Sequence, residues 1–308
     1  MIFQLPDYFA KKQGQSDLPP VAVFDYRAAQ EVIKSKVILR TFVFSFLVEG
    51  RKHLHHLHDD AGIGPNQFLL LKPTHCLMTE RFAGATQYRS LLCFFEADFL
   101  QNFTSKYQLR TTINERSPDF LVLQMDHYIS HFIHALQALL KQPLASSSAI
   151  WQLKIEELLL YLVEQYGETI IHFLCSEQNT GTDNDFRRVI EGSIDQKLSL
   201  DELSFLCQMS LSTFKRKFKE LYQTPPARWF QKQRLLKARR LLVHYNQSPS
   251  EVYLEAGFEN FSSFSQAFKR EFGVSPKVLK ASSGWPSDNI FWPSGYTPYL
   301  PLQPSFVA

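Results

Sequence analysis

The chain has 308 residues, 44% hydrophobic and 20% charged, which is typical of a globular protein of about two domains. No apolar run approaches the ~18 residues of a membrane span, and the N-terminus has no basic region followed by an apolar stretch, so we expect no membrane segment and no secretory signal. The four cysteines are far apart and form no C-x-x-C pair, which excludes a disulfide scaffold or a cysteine zinc site. We therefore predict a cytoplasmic protein.

Positive charge is concentrated towards the C-terminus. Residues 183–280 hold 17 Lys and Arg against 11 Asp and Glu, a net charge of +6, whereas the rest of the chain has a net charge of −3. This asymmetry indicates a separate module with an anionic partner, although a chance fluctuation of charge would look the same. Residues 176–184 are polar and aperiodic and are predicted to be a linker. They separate an N-terminal domain, 1–175, from a C-terminal domain, 185–280.

The N-terminal domain begins with a pattern of short strands over 20–95. The segment VILRTFVFSFLVEG (37–50) is apolar on both faces, as expected inside a sandwich or barrel, and the turn sequence GIGPNQ (62–67) precedes another strand. We predict a small β-barrel over 20–95 with helices attached over 96–175. Seven phenylalanines are expected to fill the barrel and to leave little room for a sugar-sized ligand: Phe42, Phe44, Phe46, Phe68, Phe82, Phe94 and Phe95.

Two helices follow, at 125–140 and 150–166. The second is apolar on more sides than packing on one barrel requires, so a two-fold copy of the chain is its simplest second partner. Burial entirely within the monomer is the alternative. On the dimer hypothesis, one stripe of this helix forms the seam: Ile155, Leu158, Leu162 and Tyr166.

The C-terminal domain contains an internal repeat with an offset of 50 residues. SLSTFKRKFKELYQTPP (210–226) aligns with NFSSFSQAFKREFGVSP (260–276), and each copy follows a turn and a helix that opens with a capping box, Ser199 with Glu202 and Ser248 with Glu251. This pattern predicts helix, tight turn and helix, twice over. In each second helix a pair of phenylalanines faces the core, Phe214 with Phe218 and Phe264 with Phe268. The opposite face carries small, polar and cationic side chains that suit contacts to base edges and phosphates.

The second copy resembles a known family. The string SEVYLEAGFENFSSFSQAFKREFGVSP (250–276) is similar to the AraC/XylS family of bacterial transcription regulators, and the resemblance covers 183–280. The first copy departs from the family at Gln223, where Gly is usual, and at Pro225, where Ser or Thr is usual. The residues that carry the resemblance are Ala256, Gly257, Phe258, Asn260, Ser262, Phe264, Phe268, Lys269, Gly273, Ser275 and Pro276.

The resemblance implies an α+β protein of two domains. Its N-terminal domain would be a small cupin-like β-barrel with attached helices, used for regulation and dimerisation. Its C-terminal all-α domain would hold two helix-turn-helix units joined by a linker helix, 226–244. The two recognition helices would enter successive major grooves of double-stranded DNA, roughly 34 Å apart. RNA polymerase is an implied partner, as is a small-molecule effector or a regulatory protein.

The resemblance also assigns roles to exposed residues. By matching, the base-reading positions are Ser212, Lys215, Arg216, Ser262, Ser263 and Gln266. Gln266 stands where Arg is frequent, and Gln favours adenine where Arg favours guanine. Phosphate contacts are expected from Thr213, Lys219, Ser265, Lys269, Arg270 and, on the basic linker helix, Lys232.

One histidine-rich segment, residues 53–58, raises the question of a metal. In a strand His53 and His55 share one face, and a cupin enzyme would add a Glu and a further His, here Glu80 and His75. The spacing does not match the cupin pattern, and Asp60 follows the histidines too closely. We therefore predict no metal and no cofactor, with His53 and His55 as the candidates should one exist.

The tail, 281–308, holds five prolines and six aromatic residues and is expected to form neither a helix nor a central strand. Taken together, the sequence predicts a dimeric, sequence-specific DNA-binding transcription regulator, an activator and not an enzyme, controlled through its N-terminal domain. The alternative is a cupin-type metal-dependent enzyme or metal sensor fused to a DNA-binding module.

Overall fold

The computed structural model describes residues 2–281 except 13, 15–17, 57–59, 85, 143–147, 177–182, 195, 197 and 246. The chain forms two compact units, Met1–Ala227 and Arg228–Ala308, which are described separately. Of the linker expected at 176–184, residues 177–182 lie outside the described residues and 183–184 are helical; of the tail expected at 281–308, only residue 281 is described. Among the described helices, none is both long enough and apolar enough to cross a bilayer.

Within the described residues, the first unit contains ten strands in two sheets. Sheet A has the order β1-β3-β8-β5-β6 and sheet B the order β10-β7-β4-β9-β2. All neighbouring strands are antiparallel except β1 and β3, which are parallel. The strands are β1 (Ile2–Leu5), β2 (Val21–Ala28), β3 (Val32–Leu39), β4 (Phe42–Glu49), β5 (Arg51–His55), β6 (Asp60–Ile63), β7 (Gln67–Leu71), β8 (Thr74–Arg81), β9 (Tyr88–Phe95) and β10 (Phe120–Gln124). Strands β2 to β9 occupy the range expected for the barrel.

The other regular elements of the first unit, within the described residues, are helices. Those before the linker region are α1 (Asp7–Lys12), α2 (Ala97–Lys106), α3 (His127–Leu140), α4 (Ser148–Tyr166) and α5 (Glu168–Cys175). Three more follow it: α6 (Asp183–Gly192), α7 (Leu200–Leu206) and α8 (Leu211–Tyr222). Helices α3 and α4 occupy the positions that their apolar stripes predict, within two residues.

Strand β4 is apolar on both faces because each face packs on a different layer. Val43 and Leu47 belong to the cluster between the sheets, and Phe44 and Phe46 belong to the cluster that sheet B shares with the helices. The expectation that the phenylalanines fill the barrel is therefore wrong for most of them. Phe82 and Phe94 pack in the cluster between the sheets, called the inner cluster. The cluster between sheet B and the helices, called the outer cluster, contains Phe42, Phe44, Phe46, Phe68 and Phe95.

The interior between the sheets contains both aliphatic and aromatic side chains, and it also contains a buried polar group. The Nζ of Lys52 donates to Ser45 Oγ at 2.9 Å and lies 3.9 Å from a carboxylate oxygen of Glu80. Tyr26 donates its hydroxyl hydrogen to the other oxygen of Glu80 at 2.9 Å. Burial lowers the pKa of Lys52, although the Glu80 charge opposes this shift.

Helix α4 has one face that is fully buried within a single chain. Ile155, Leu158 and Leu162 have no exposed surface and pack in the outer cluster of sheet B, while Tyr166 is half-buried beside them. The prediction that Ile155, Leu158 and Leu162 form a dimer seam is wrong, because they are already buried within the monomer. The exposed leucine of this helix is Leu153, with 65% of its surface open to solvent.

The second unit is helical. It contains most of α9 (Pro226–His244), then α10 (Pro249–Glu255), α11 (Phe261–Phe272) and α12 (Pro276–Ala281). Helix α9 has the bounds expected of the linker helix, and both predicted capping boxes are present, at Ser199 and Ser248.

Candidate DNA-binding surface

Helix α8, the second helix of the first repeat, is anchored through one face. Ser210 caps it by accepting a hydrogen bond from the Thr213 amide at 3.1 Å. Phe214 and Phe218 are fully buried, and the ring centroid of Phe214 lies 5.4 Å from that of Phe186 in α6. Removing a buried phenyl ring costs about 3–5 kcal/mol, so this contact fixes which face of the helix meets solvent.

The solvent face of α8 carries the residues that the resemblance assigns to DNA. Ser212, Lys215, Arg216 and Lys219 are exposed, and within the described part of the chain no salt bridge involves these three cations. Thr213 is half-buried, and its hydroxyl lies 2.9 Å from the Oγ of the capping serine. The face therefore presents three uncompensated positive charges to solvent.

Lys217, which was not assigned to DNA, contacts another part of the protein. Its Nζ lies 3.1 Å from an Asp183 carboxylate oxygen and 5.2 Å from the centre of the Phe186 ring. Successive residues of a helix point in different directions, so the Lys217 side chain is directed towards α6 while its neighbours are exposed to solvent.

Helix α11 has the same construction in the second unit. Asn260 caps it by accepting a hydrogen bond from the Ser263 amide at 2.8 Å. Phe264 and Phe268 are fully buried among residues of α9 and α10, including Leu235 and Val252. Five of the assigned residues are exposed and Ser265 is half-buried; the exposed ones are Ser262, Ser263, Gln266, Lys269 and Arg270.

Left-handed backbone conformations set the turns of both repeats. Gln208 (φ 56°) and Gly257 (φ 72°) occupy the turn before each second helix, and the second turn is one residue longer. Gln223 (φ 53°) and Gly273 (φ 76°) end those helices. Gln223, where the family usually has Gly, thus takes a conformation that costs a residue with a Cβ about 1–2 kcal/mol.

The basic residues of α9 are partly occupied by their own unit. Lys232 lies 3.7 Å from Glu271, Arg234 lies over the Phe258 ring, and Arg239 lies over the Phe272 ring. Lys232 is nevertheless exposed, so its phosphate contact stays a prediction. The nearby carboxylate of Glu271 compensates part of its positive charge.

One contact in the first unit has no signal in the sequence. Helix α7 packs on the outer face of sheet A, where Leu77 forms a cluster with Phe205 and Leu206. The ring of His75 stacks on that of Phe205, and Lys36 forms a salt bridge with Asp201. The first helix of a DNA-binding repeat is thereby joined to the N-terminal sheet. The contact joins segments that are distant in the sequence. Neither segment therefore carries a local pattern that predicts it.

The histidine-rich segment does not assemble the ligand set considered from the sequence. Glu80 lies inside the barrel with Lys52, and His75 lies against α7, so neither joins His53 and His55. His58 lies outside the described residues. Asp60 joins the two histidines instead. Partial burial acts to raise the pKa of Asp60, but hydrogen bonds from His55 and His53 bring it below its ordinary value.

Comparison with known proteins covers both halves of the chain. Residues 42–173 match the family model described as "ExsA N-terminal regulatory domain", and residues 205–282 match one described as "Helix-turn-helix domain". The chain is similar to the virulence regulon transcriptional activator VirF of Yersinia enterocolitica, with 30% identity over 60% of this chain and 68% of that protein. It is also similar to the HTH-type transcriptional regulator ExsA of Pseudomonas aeruginosa, with 25% identity over 75% of this chain and 82% of that protein.

A solved structure of an apo ToxT variant from Vibrio cholerae aligns with 87% of this chain and 99% of that one, at 12% identity and a TM-score of 0.42. The assignment itself rests on the sequence relatives and on the two matched domains. The repeated helix-turn-helix pattern, its caps and its buried phenylalanines agree with them. The chain therefore belongs to the AraC/XylS family of bacterial transcription regulators.

Proposed function

We propose that this protein is a sequence-specific transcription activator that reads two successive major grooves through α8 and α11. The observation that carries the proposal is the shared construction of these two helices. Each is capped at its N-terminus, is anchored by two buried phenylalanines, and presents polar and cationic side chains to solvent. A helix anchored in this way can enter the major groove with its exposed face towards the bases.

The base-reading residues are proposed to be Ser212, Lys215 and Arg216 on α8 and three on α11. Arginine can donate two parallel hydrogen bonds to guanine O6 and N7, and glutamine can pair with adenine N6 and N7. Arg216 and Gln266 therefore favour different bases at corresponding places in the two half-sites. The remaining two on α11 are Ser262 and Ser263.

Phosphate contacts are proposed from residues beside the base-reading positions. They hold the protein on DNA without selecting sequence and make the affinity dependent on salt. Lys219 is one candidate, because it is exposed and forms no salt bridge among the described residues. The others are Thr213, Lys232, Ser265, Lys269 and Arg270.

Control is proposed to pass from the N-terminal domain to the first repeat through α7. Support comes from the contact of α7 with sheet A, which includes both an ion pair and a stacked ring. A small-molecule effector or a regulatory protein that alters sheet A would alter the support of α8. RNA polymerase is the expected partner at the promoter, since the names of the relatives describe transcription activators.

The protein is further proposed to act as a homodimer in the cytoplasm, where the chromosome lies, and to catalyse no reaction. A two-fold arrangement needs a surface other than the buried stripe of α4. The exposed side of that helix, which carries Leu153, is the proposed seam.

Genome-wide mapping of the DNA bound by the full-length protein tests the proposal. We expect a recurring motif with two half-sites about one helical turn apart, and an affinity for it that falls steeply with salt. Random recovery of DNA, or an affinity that salt does not change, would contradict the proposal.

A further inference from the structure

A second cluster of functional side chains lies on the β5–β6 hairpin, far in the sequence from the DNA-binding helices. Strand alternation turns Lys52 and Leu54 into the interior, where both are buried, and turns His53 and His55 to the outer face of sheet A. In the antiparallel pair, His55 stands directly opposite Asp60. A short hairpin thus brings together residues that looked too close in sequence to share a site.

The ligand atoms of these three residues converge. The Nδ1 of His55 lies 2.9 Å from Asp60 Oδ2, the Nε2 of His53 lies 3.5 Å from the same oxygen, and all three ligand atoms lie within 4.8 Å of one another. Ligands placed about 2.0–2.2 Å from one tetrahedral ion are roughly 3.3–3.6 Å apart. Small side-chain rotations would bring the three atoms to these separations.

The surroundings leave the cluster accessible. The side chains of His53, His55 and Asp60 are 41%, 15% and 28% exposed. Gly62 stands opposite His53 and places no side chain over its imidazole. Two of the three ligands stand on β5, which pairs with strands on both sides and holds their backbone in place.

We propose that His53, His55 and Asp60 bind a divalent transition-metal ion, with Zn²⁺ as the representative ion. Two imidazoles and one carboxylate suit ions of intermediate hardness, whereas Mg²⁺ and Ca²⁺ prefer oxygen ligands throughout. Three protein ligands leave at least one coordination position for water or a further group. The site lies on the outer face of the sheet, whereas a cupin enzyme holds its metal inside the barrel.

The position of this site links it to the rest of the first unit. His55 is paired with Leu77 of β8, and Leu77 packs against Phe205 and Leu206 of α7. A bound ion would therefore lie one strand away from the contact that joins sheet A to the first repeat. The proposal concerns the barrel alone and does not rest on DNA binding.

Metal binding to the full-length protein, purified without a histidine tag and stripped with a chelator that is then removed, tests the proposal. We expect equilibrium dialysis to give one Zn²⁺ per chain, and Co²⁺ to give the visible absorption bands of a site with nitrogen ligands. His55→Ala and Asp60→Asn should each weaken binding by roughly tenfold or more. His131→Ala, which removes an exposed histidine from helix α3, is the matched control and should bind as the wild type does.

Thermal melts of each variant separate loss of a ligand from loss of the fold. If His55→Ala does not fold, His53→Gln takes its place, because the His53 side chain is the most exposed of the three. Two results would overturn the proposal: a wild-type protein that binds no stoichiometric Zn²⁺, or folded ligand variants that bind it as tightly as the wild type.

Discussion

The imidazole of His75 stacks on the ring of Phe205, with the ring centroids 4.8 Å apart, and its Nδ1 lies 3.1 Å from the Phe205 carbonyl oxygen. A residue of the N-terminal sheet is thereby packed against the first helix of the DNA-binding repeat. Lys36 also forms a salt bridge with Asp201 of α7. The contact offers a physical route by which the state of the barrel reaches α7.

The packing of helix α7 on sheet A should weaken in mild acid. Burial lowers the pKa of His75 below its ordinary value of 6.5, with the hydrogen bond to the Phe205 carbonyl acting in the opposite direction. The docked imidazole therefore binds a proton less readily than the free one. Docking is fully favourable above about pH 6.5 and loses free energy as the pH falls below that value. Hydrogen exchange of the α7 amides, corrected for intrinsic rates, should be faster at about pH 5.5 than at about pH 7.5.

The control for this prediction is His75→Gln, which keeps a polar side chain but does not titrate. Its exchange in α7 should show no added dependence on pH between the same two conditions. Equal pH dependence in the variant and the wild type would mean that another group is responsible.

The buried stripe of α4 should behave as core. Leu158→Ala should lower the free energy of unfolding by about 2–5 kcal/mol, because the residue is completely buried between the helix and sheet B. Glu164→Ala, at an exposed position of the same helix, should change it by less than about 0.5 kcal/mol. Urea unfolding of both variants measures the difference. A Leu158→Ala protein of normal stability would contradict the placement.

The oligomeric state is tested by a charge on the exposed side of α4. Leu153→Glu should leave each chain folded and convert a wild-type dimer into monomers in sedimentation velocity, since a buried carboxylate in a seam is costly. A wild type that is monomeric at micromolar concentration, or a Leu153→Glu protein that remains dimeric, would rule out this seam.

The end of helix α8 should be stabilised by glycine. Gln223→Gly relieves a left-handed conformation and should raise the free energy of unfolding by about 1 kcal/mol, even though it removes the hydrogen bond from Gln223 Nε2 to the Glu220 carbonyl oxygen. Gln223→Ala loses the same bond while it keeps the strain and should not stabilise. Thermal melts of the two variants compare them directly, and a destabilised Gly variant would be inconsistent with strain at this position.

The DNA-binding repeats could be predicted from sequence because their signals are local. Capping boxes, i, i+4 phenylalanine pairs and turn residues all act within a few positions. Each of these signals occurs in both copies of the repeat. The same local reasoning identified the exposed faces of α8 and α11, since burial of Phe214 and Phe264 fixes the opposite side.

The sequence predicts the N-terminal domain less completely, because the features that it does not predict depend on long-range packing. The sequence marks β4 as apolar on both faces but does not say which face meets helices, so Phe44 and Phe46 were assigned to the wrong layer. The spacing expected of a cupin excludes Asp60 because it follows His55 so closely, but the hairpin register places these two residues directly opposite each other. The stacking on Phe205 joins segments 130 residues apart, which no local pattern reveals.

Base reading and phosphate contact should separate at two cations of α8. Arg216→Ala should lose about 1–3 kcal/mol on the operator and relax the preference at one base pair. Lys219→Ala should weaken operator and scrambled duplex equally and reduce the salt slope by about one unit. Both residues are exposed, so neither change should alter the thermal melt.

Binding of the Arg216→Ala protein to its operator and to a scrambled duplex, at two salt concentrations, tests most directly whether the exposed face of α8 reads DNA sequence. The account predicts a loss on the operator and little change on the scrambled duplex. An equal loss on both duplexes would make Arg216 a phosphate contact and would contradict the assignment of this face to base reading.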